Sequence, residues 1–499
     1  MGEIRKQSFY SSIYTYIGFA VGALNTLLLL TPKLGFFTIE QVGFSRLLLD
    51  FGSLFSVLAV MGSLTTFIKF FPYHRSALKN ENNDLPFIAM MVSLMGTLLL
   101  VISLVLFKDF FARKFGEKSA LFIENFELVI PFTISVIVFN LLETFAWSVH
   151  KTIHSNFAKE LLVRIATLFI LILYYFKLIN IQIFFILFSL VYVPAFMYLG
   201  FVIIKDGTIK ICTKISDATR QLYRKMLSFT AFHFSAGVFA ILPKTIDVFI
   251  IASVIGLGSA GVYTIPTYLV TVLEVPQRSM LGIGSSTISE AWQKNDRSRI
   301  QSIYSKSSIN LFVLGILLFG LLYPNIDNLI RFLGEEYMPI KIIFLILGTA
   351  KLIDLAMGLN NLILGFSKYW KLDFFTNLIF ILLAVFFTYF LSKKFGMYGT
   401  ALGGALTMIG YNLLRFAFIY WLMKLQPFTR STIYALLIGL AAILISILIP
   451  YLGNYFIDAA VRAVVFLVLF LPAILYLKIS TDINDMYNKA MNKFFKSNK

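Results

Sequence analysis

The chain has 499 residues, 59% hydrophobic and 14% charged, with 53 phenylalanines and a net charge of +18. Soluble domains run nearer about 45–50% apolar and about 25% charged, so a water-soluble enzyme or a nucleic-acid-binding module is excluded. What the composition fits is an all-α polytopic membrane protein whose surrounding solvent is lipid.

The opening "MGEIRKQ" is basic, but the apolar run behind it is too long for a cleaved leader and no small-residue cleavage site closes it. A crossing helix needs roughly 20 mostly apolar residues. That rule predicts about fourteen, near 8–31, 41–68, 85–107, 126–149, 160–176, 181–204, 226–255, 262–285, 304–323, 340–364, 372–392, 400–423, 432–452 and 458–477. Most Lys and Arg then fall on one side, in the run Lys205, Lys210, Lys214, Arg220, Arg224 and Lys225 and in the tail from Lys478 to Lys499. By the positive-inside rule both termini are expected to be cytoplasmic. The exception is the outward group Lys108, Arg113, Lys114 and Lys118, diluted by Asp109 and Glu117. The external loops are short, and the longest is too small for a domain. Cys212 is the single cysteine and the four histidines have no ligand spacing, so no disulfide, metal site or cofactor is expected. The tail "DINDMYNKAMNKFF" places Ile483, Met486, Ala490 and Phe494 at helical spacing, as in an interfacial amphipathic helix.

Two junctions share a pattern. "LGFFTIEQVGFSRLLL" carries Gly35 and Gly43, and "IGLGSAGVYTIPTYLV" carries Gly256 and Gly261; "KFGMYGTALGGALTM" is a looser third copy. The spacing suits duplication of a six-helix unit. The expected organisation is a six-helix bundle at 1–204, a basic linker at 205–225, a second bundle at 226–423 related to the first by a pseudo-two-fold axis, and two added helices with the tail at 424–499.

A charge near the bilayer centre costs roughly 2.5–3.5 kcal/mol on insertion scales, so such residues face a protein interior or a watery cavity. Four pairs share one helix face by their spacing: Arg46 with Asp50, Lys244 with Asp247, Glu274 with Arg278, and Lys351 with Asp354. Each is read either as a self-neutralising salt bridge or as part of a shared cavity. His233 and Asn25 are further candidates for a cavity edge, although Gly18 and Gly22 beside Asn25 favour close packing. Arg164, Arg415, Arg462 and Glu143 are weaker candidates. Pro243 and Pro276 interrupt their helices and are candidate hinges.

The stretch "LPKTIDVFIIASVIGLGSAGVYTIP", with an Asp in mid-helix, then Gly, a short turn and Gly-x-Tyr, resembles a recurrent segment of the polysaccharide (O-antigen-type) flippases. "RKQSFYSSIYTYIGFAVGALNTLLLLTPKLGFFTIEQVGFSRLLLDFGSLFSVLAVMGSLTTFIKFFPYHR" is similar to their N-terminal segment. These belong to the multidrug/oligosaccharidyl-lipid/polysaccharide exporter superfamily. The resemblance implies two bundles around a V-shaped cavity, alternating access, and a polyprenyl-pyrophosphate-linked oligosaccharide as cargo for lipopolysaccharide-type surface polymers. It implies cargo contacts at Arg46, Lys244, Arg278 and Lys351. Each has an acidic neighbour, which leaves Asp50, Asp247, Glu274 and Asp354 for gating or for proton or Na⁺ coupling. A monomer is expected, associating with other polysaccharide-assembly proteins, with no covalent chemistry. The rivals are a cation-coupled drug antiporter of the same superfamily and a membrane polysaccharide polymerase or ligase, with a lipid II flippase as a further alternative within the main reading.

Overall fold

The computed structural model describes residues 36–77, 83–116, 118–149, 151–207, 209–485 and 487–488, with 14, 17, 18, 20–22 and 24–26 before them. Most of the predicted first span, together with Gly35, Met486, Ala490 and Phe494, lies outside the described residues. Those described are mostly helical, with no strand among them. Nine of their helices are long and apolar enough to cross a membrane, or ten if the pair Glu335–Ala356 and Asn360–Phe366, bent by 48°, is one span. The chain is a multi-pass membrane protein of the expected all-α class. The exact count of fourteen is not confirmed: most of the first predicted span lies outside the described residues, others are broken, and Trp370–Met423 holds two of the predicted spans.

Those breaks have identifiable causes. The predicted 41–68 span begins with a capping box, in which Thr38 accepts from the Gln41 amide and the Gln41 side chain accepts from the Thr38 amide. It then splits into Ile39–Val60 and Ser63–Ala77, because Met61 (φ 48°) and Gly62 (φ 75°) are left-handed. The predicted 262–285 span starts earlier, at Leu257 after Gly256 (φ 137°), and stops at Leu273. Pro276 therefore does not kink a helix. It sits in the first turn of a new one, Val275–Gln293, where its missing N–H costs nothing. Pro243 does lie inside the Asp217–Val254 helix, dividing an apolar Asp217–Pro243 segment from Thr245–Val254.

The chain forms two compact units, Met1–Gly261 and Val262–Lys499. In the first, Phe67, Phe139, Phe145, Ala195 and Leu199 share a buried core. Glycines let backbones approach there. A Cβ on Gly96 would lie 1.9 Å from the Ala59 carbonyl oxygen. Gly43 and Gly261, matching members of the sequence repeat, face each other: a Cβ on either would come within 3.2 Å of the other's amide nitrogen. The end of the basic linker is tied down by the buried Asp84. Its carboxylate accepts from the Ser216 amide (2.9 Å) and from the hydroxyls of Ser216 (2.9 Å) and Thr219 (3.0 Å), with His74 Nε2 a further 3.0 Å from Thr219 Oγ1. Ser216 in turn caps the Asp217–Val254 helix.

In the second unit, Trp370–Met423 spans two of the predicted helices, 372–392 and 400–423. It doubles back at Gly396 (φ 60°, ψ −141°), a conformation that a side chain resists. Gly399 and Gly403 then sit against Leu391 and Thr388 of the first arm, so the arms form a tight hairpin. The buried Phe466 ring rests on Gly320, where a Cβ would be 2.1 Å away. Arg462 donates to the carbonyls of Ser446, Ile447 and Ile449, satisfying the C-terminal end of Arg430–Ile447, and holds Asp458 at 2.6 Å. This arginine is an element of architecture.

Candidate functional site: a buried charged cluster

The densest polar constellation within an apolar part of the second unit is built by three segments. The short break between Leu273 and Val275 places Glu274, Gln277 and Arg278 on one turn. Ile340–Ala356 supplies Lys351 and Asp354, and the second arm of the hairpin supplies Asn412. Lys351 is 5% exposed. Its Nζ lies 2.8 Å from Asp354 Oδ2 and 3.3 Å from Glu274 Oε1, and donates to Gln277 Oε1 at 2.9 Å. An ammonium has three N–H donors, and here each has an acceptor.

Asp354 is held with equal completeness. Its Oδ1 accepts from Asn412 Nδ2 (2.9 Å) and its Oδ2 from Gln277 Nε2 (3.3 Å) as well as from Lys351. Asn412 Oδ1 accepts from Asn360 Nδ2 at 2.9 Å. At the other edge, Arg278 Nη2 donates to Glu274 Oε2 at 2.9 Å, and the Arg278 side chain is 54% exposed. The formal charges of Lys351, Arg278, Glu274 and Asp354 cancel. Burying a charge is tolerated when every partner is present, and the cluster meets that condition around Lys351. Arg278 is its accessible cation.

A second knot lies nearby along the same hairpin. Arg415 pairs with Asp373, its guanidinium lies 4.2 Å from the Tyr411 ring centroid, and Tyr411 donates to Asn377 Oδ1 at 2.9 Å. Tyr411, Asn412 and Arg415 follow one another on one arm, so the knot and the Lys351 cluster share a support.

In the first unit, Arg46 and Asp50 form their expected pair at 2.9 Å, with Asp50 buried. Asp247 is half-buried, and the side chain of its expected partner Lys244 lies outside the described residues. His233 packs on Phe229 at 4.0 Å between centroids, and the same ring carries Lys69 at 3.8 Å. Asn25 is buried and donates to the Arg164 carbonyl at 2.9 Å, while a Cβ on Gly18 would strike Glu160. Glu143 accepts from Lys159 through both oxygens at 3.1 Å, and Arg164 pairs with Glu160.

Three of the four same-helix pairs are therefore present as pairs, and two of them merge into one cluster. Sequence reasoning passed over Gln277, Asn360, Asn412, Asp373 and Tyr411. The available signal was polar residues within apolar runs, as in "GYNLLRF" and "GLNNLIL". Among the described residues no group of three His, Cys, Asp or Glu could hold a metal ion.

No family model matches the chain, and no curated protein matches it. Solved structures do. A structure described as the lipid II flippase MurJ, in an inward closed conformation, matches 93% of this chain and 97% of its own at a TM-score of 0.73 and 14% identity. An inward-facing multidrug resistance MATE family transporter of the MOP superfamily matches 82% and 94%, at 0.58 and 12%. An outward-facing MATE family transporter matches 88% and 96%, at 0.54 and 14%. The chain has the fold these proteins share.

Proposed function

We propose that this protein is a flippase that carries a polyprenyl-pyrophosphate-linked oligosaccharide, a surface-polysaccharide repeat unit, across the bacterial inner membrane by alternating access. The observation that carries the reading is the near full-length likeness to a lipid II flippase, which exceeds the likeness to drug transporters of the same architecture. The O-antigen-type assignment rests on the segments quoted above. Translocation by this route needs no covalent step, no cofactor and no catalytic residue.

Within that reading Arg278 is the first contact for the pyrophosphate, because it is the cluster's exposed cation and its guanidinium forks suit phosphate oxygens. Lys351 holds Glu274 and Asp354 in place, and exchange of its partners accompanies the change of access. Arg46 and Lys244 make corresponding contacts from the first unit, with Asp50 and Asp247 gating them. Asp354 and Glu274 are the candidates for proton or Na⁺ coupling. The protein works as a monomer, termini in the cytoplasm, alongside other polysaccharide-assembly proteins.

The test is complementation of a strain lacking its own repeat-unit flippase. Arg278→Ala and Lys244→Ala at normal expression should each lower surface polymer. Full activity in both would remove the cation assignment. Export of cationic dyes by the wild type, with no polymer restored, would favour the drug-antiporter reading.

A further inference from the structure

The basic run Lys108–Lys118 breaks the charge asymmetry of the chain, and the proposed function gives it no task. The structure gives it a place. Lys108–Phe115 forms a short helix directly after the Leu85–Leu106 span. Phe110 and Phe111 of that helix line one end of a cavity of about 550 Å³ within the first unit. Its walls run from Gly96 to Leu104 on the Leu85–Leu106 helix, with Phe55 on Ile39–Val60 and Phe234 on Asp217–Val254. Gly96 and Ala59, close enough that a Cβ on Gly96 would lie 1.9 Å from the Ala59 carbonyl oxygen, are part of this lining.

Three properties define an occupant. The cavity is dry in character: Ser103 is the one polar side chain in the lining, and its hydroxyl is spent on the Leu99 carbonyl at 2.7 Å. A water there would lack the two to four partners it needs, whereas hydrocarbon needs none. From Gly96 to Phe107 the groove runs about 16 Å at roughly 1.5 Å per residue, half of an apolar core of about 30 Å, which is the depth of one leaflet. Finally, the short helix at the mouth carries exposed basic side chains. Lys108 is held by Glu127 at 3.1 Å and Lys118 by the Val254 carbonyl at 2.5 Å, which seats the segment; Arg113, whose Nε donates to the Asp109 carbonyl at 3.3 Å, and Lys114 are exposed on it, three and four residues after Phe110.

We propose that this groove binds one acyl chain of an anionic phospholipid, with the lipid phosphate held by Arg113 and Lys114. The lipid belongs to the leaflet at the C-terminal end of the Leu85–Leu106 helix, the outer one in the proposed orientation. The site is separate from the charged cluster, and binding does not depend on what the protein transports.

The test uses the full chain in nanodiscs containing phosphatidylglycerol or phosphatidylcholine with a photoactivatable diazirine in one acyl chain. Adducts are mapped by peptide mass spectrometry. The phosphatidylglycerol probe should label residues 99–111 about thirtyfold more than the phosphatidylcholine probe, the size that two basic residues near a membrane surface supply at about 1 kcal/mol each. Arg113→Glu with Lys114→Glu should erase that difference. Ser103→Trp should block the groove and remove the adducts. Should that variant misfold, Leu99→Trp, at a half-exposed position, serves the same purpose. Equal labelling by the two probes in the wild type, adducts spread evenly over lipid-facing helices such as Tyr455–Tyr476, or unchanged labelling in the folded tryptophan variants would each overturn the proposal.

Discussion

Each N–H of the Lys351 ammonium already has an acceptor, while Arg278, paired to the same Glu274, is half-exposed. The two cations should therefore fail differently when removed. Lys351→Met strands Asp354 in an apolar setting and should cost about 3–5 kcal/mol, read as a large drop in the thermal midpoint in detergent. Adding Asp354→Leu should recover much of that loss, since Glu274 keeps Arg278 and the double variant leaves no unpaired charge there. Arg278→Ala should change stability by less than about 1 kcal/mol, as exposed pairs do, yet still impair transport. Residues at this scale were legible where spacing alone decides. Pairs three or four apart on a helix can be read directly, and three of them are present. Gln277 and Asn412 reach Lys351 and Asp354 across 74 and 58 residues of chain. No local pattern encodes such a contact, so the completeness of the cluster could not be read.

At the scale of the element, glycine decides which helices touch. Gly43 and Gly261 allow Ile39–Val60 and the first turn of Leu257–Leu273 to meet backbone to backbone, and a Cβ on Gly43 would lie 2.1 Å from the Leu257 carbonyl oxygen. Gly43→Ala should destabilise by about 1–3 kcal/mol, the usual range for overpacking. Gly410, on a helix with nothing within 4 Å, provides the contrast. Gly410→Ala should be neutral or stabilise by up to about 1 kcal/mol, since glycine is the poorer helix former. Both are checked by the same melting measurement. The repeat was legible as a pair of glycine-rich junctions, but its meaning was not. A glycine that permits a turn and one that permits close approach look alike in sequence. Pro276 shows the same ambiguity, since a proline can kink a helix or begin one, and here it begins one.

For the whole molecule, hydropathy sufficed for the class, because an apolar chain in lipid has few ways to satisfy its backbone other than helices. It does not fix where helices break, since Met61–Gly62 and Glu274 interrupt them without any loss of apolar character. The proposed orientation, with both termini in the cytoplasm, rests on basic-residue asymmetry and yields its own prediction. Cys212, the single cysteine, should react with a membrane-impermeant maleimide in inside-out vesicles and not in intact cells. Labelling from outside would invert the topology and move the lipid site to the other leaflet.

The most direct measurement of the central claim is flipping by the purified protein in proteoliposomes loaded with a polyprenyl-pyrophosphate-linked oligosaccharide, with leaflet exposure read by an impermeant sugar-modifying reagent. The wild type should expose the lipid faster than empty liposomes do, and Arg278→Ala should slow that exposure by about tenfold, equivalent to about 1.4 kcal/mol, while remaining folded. Exposure no faster than in empty liposomes, with the protein folded and oriented, would contradict the account.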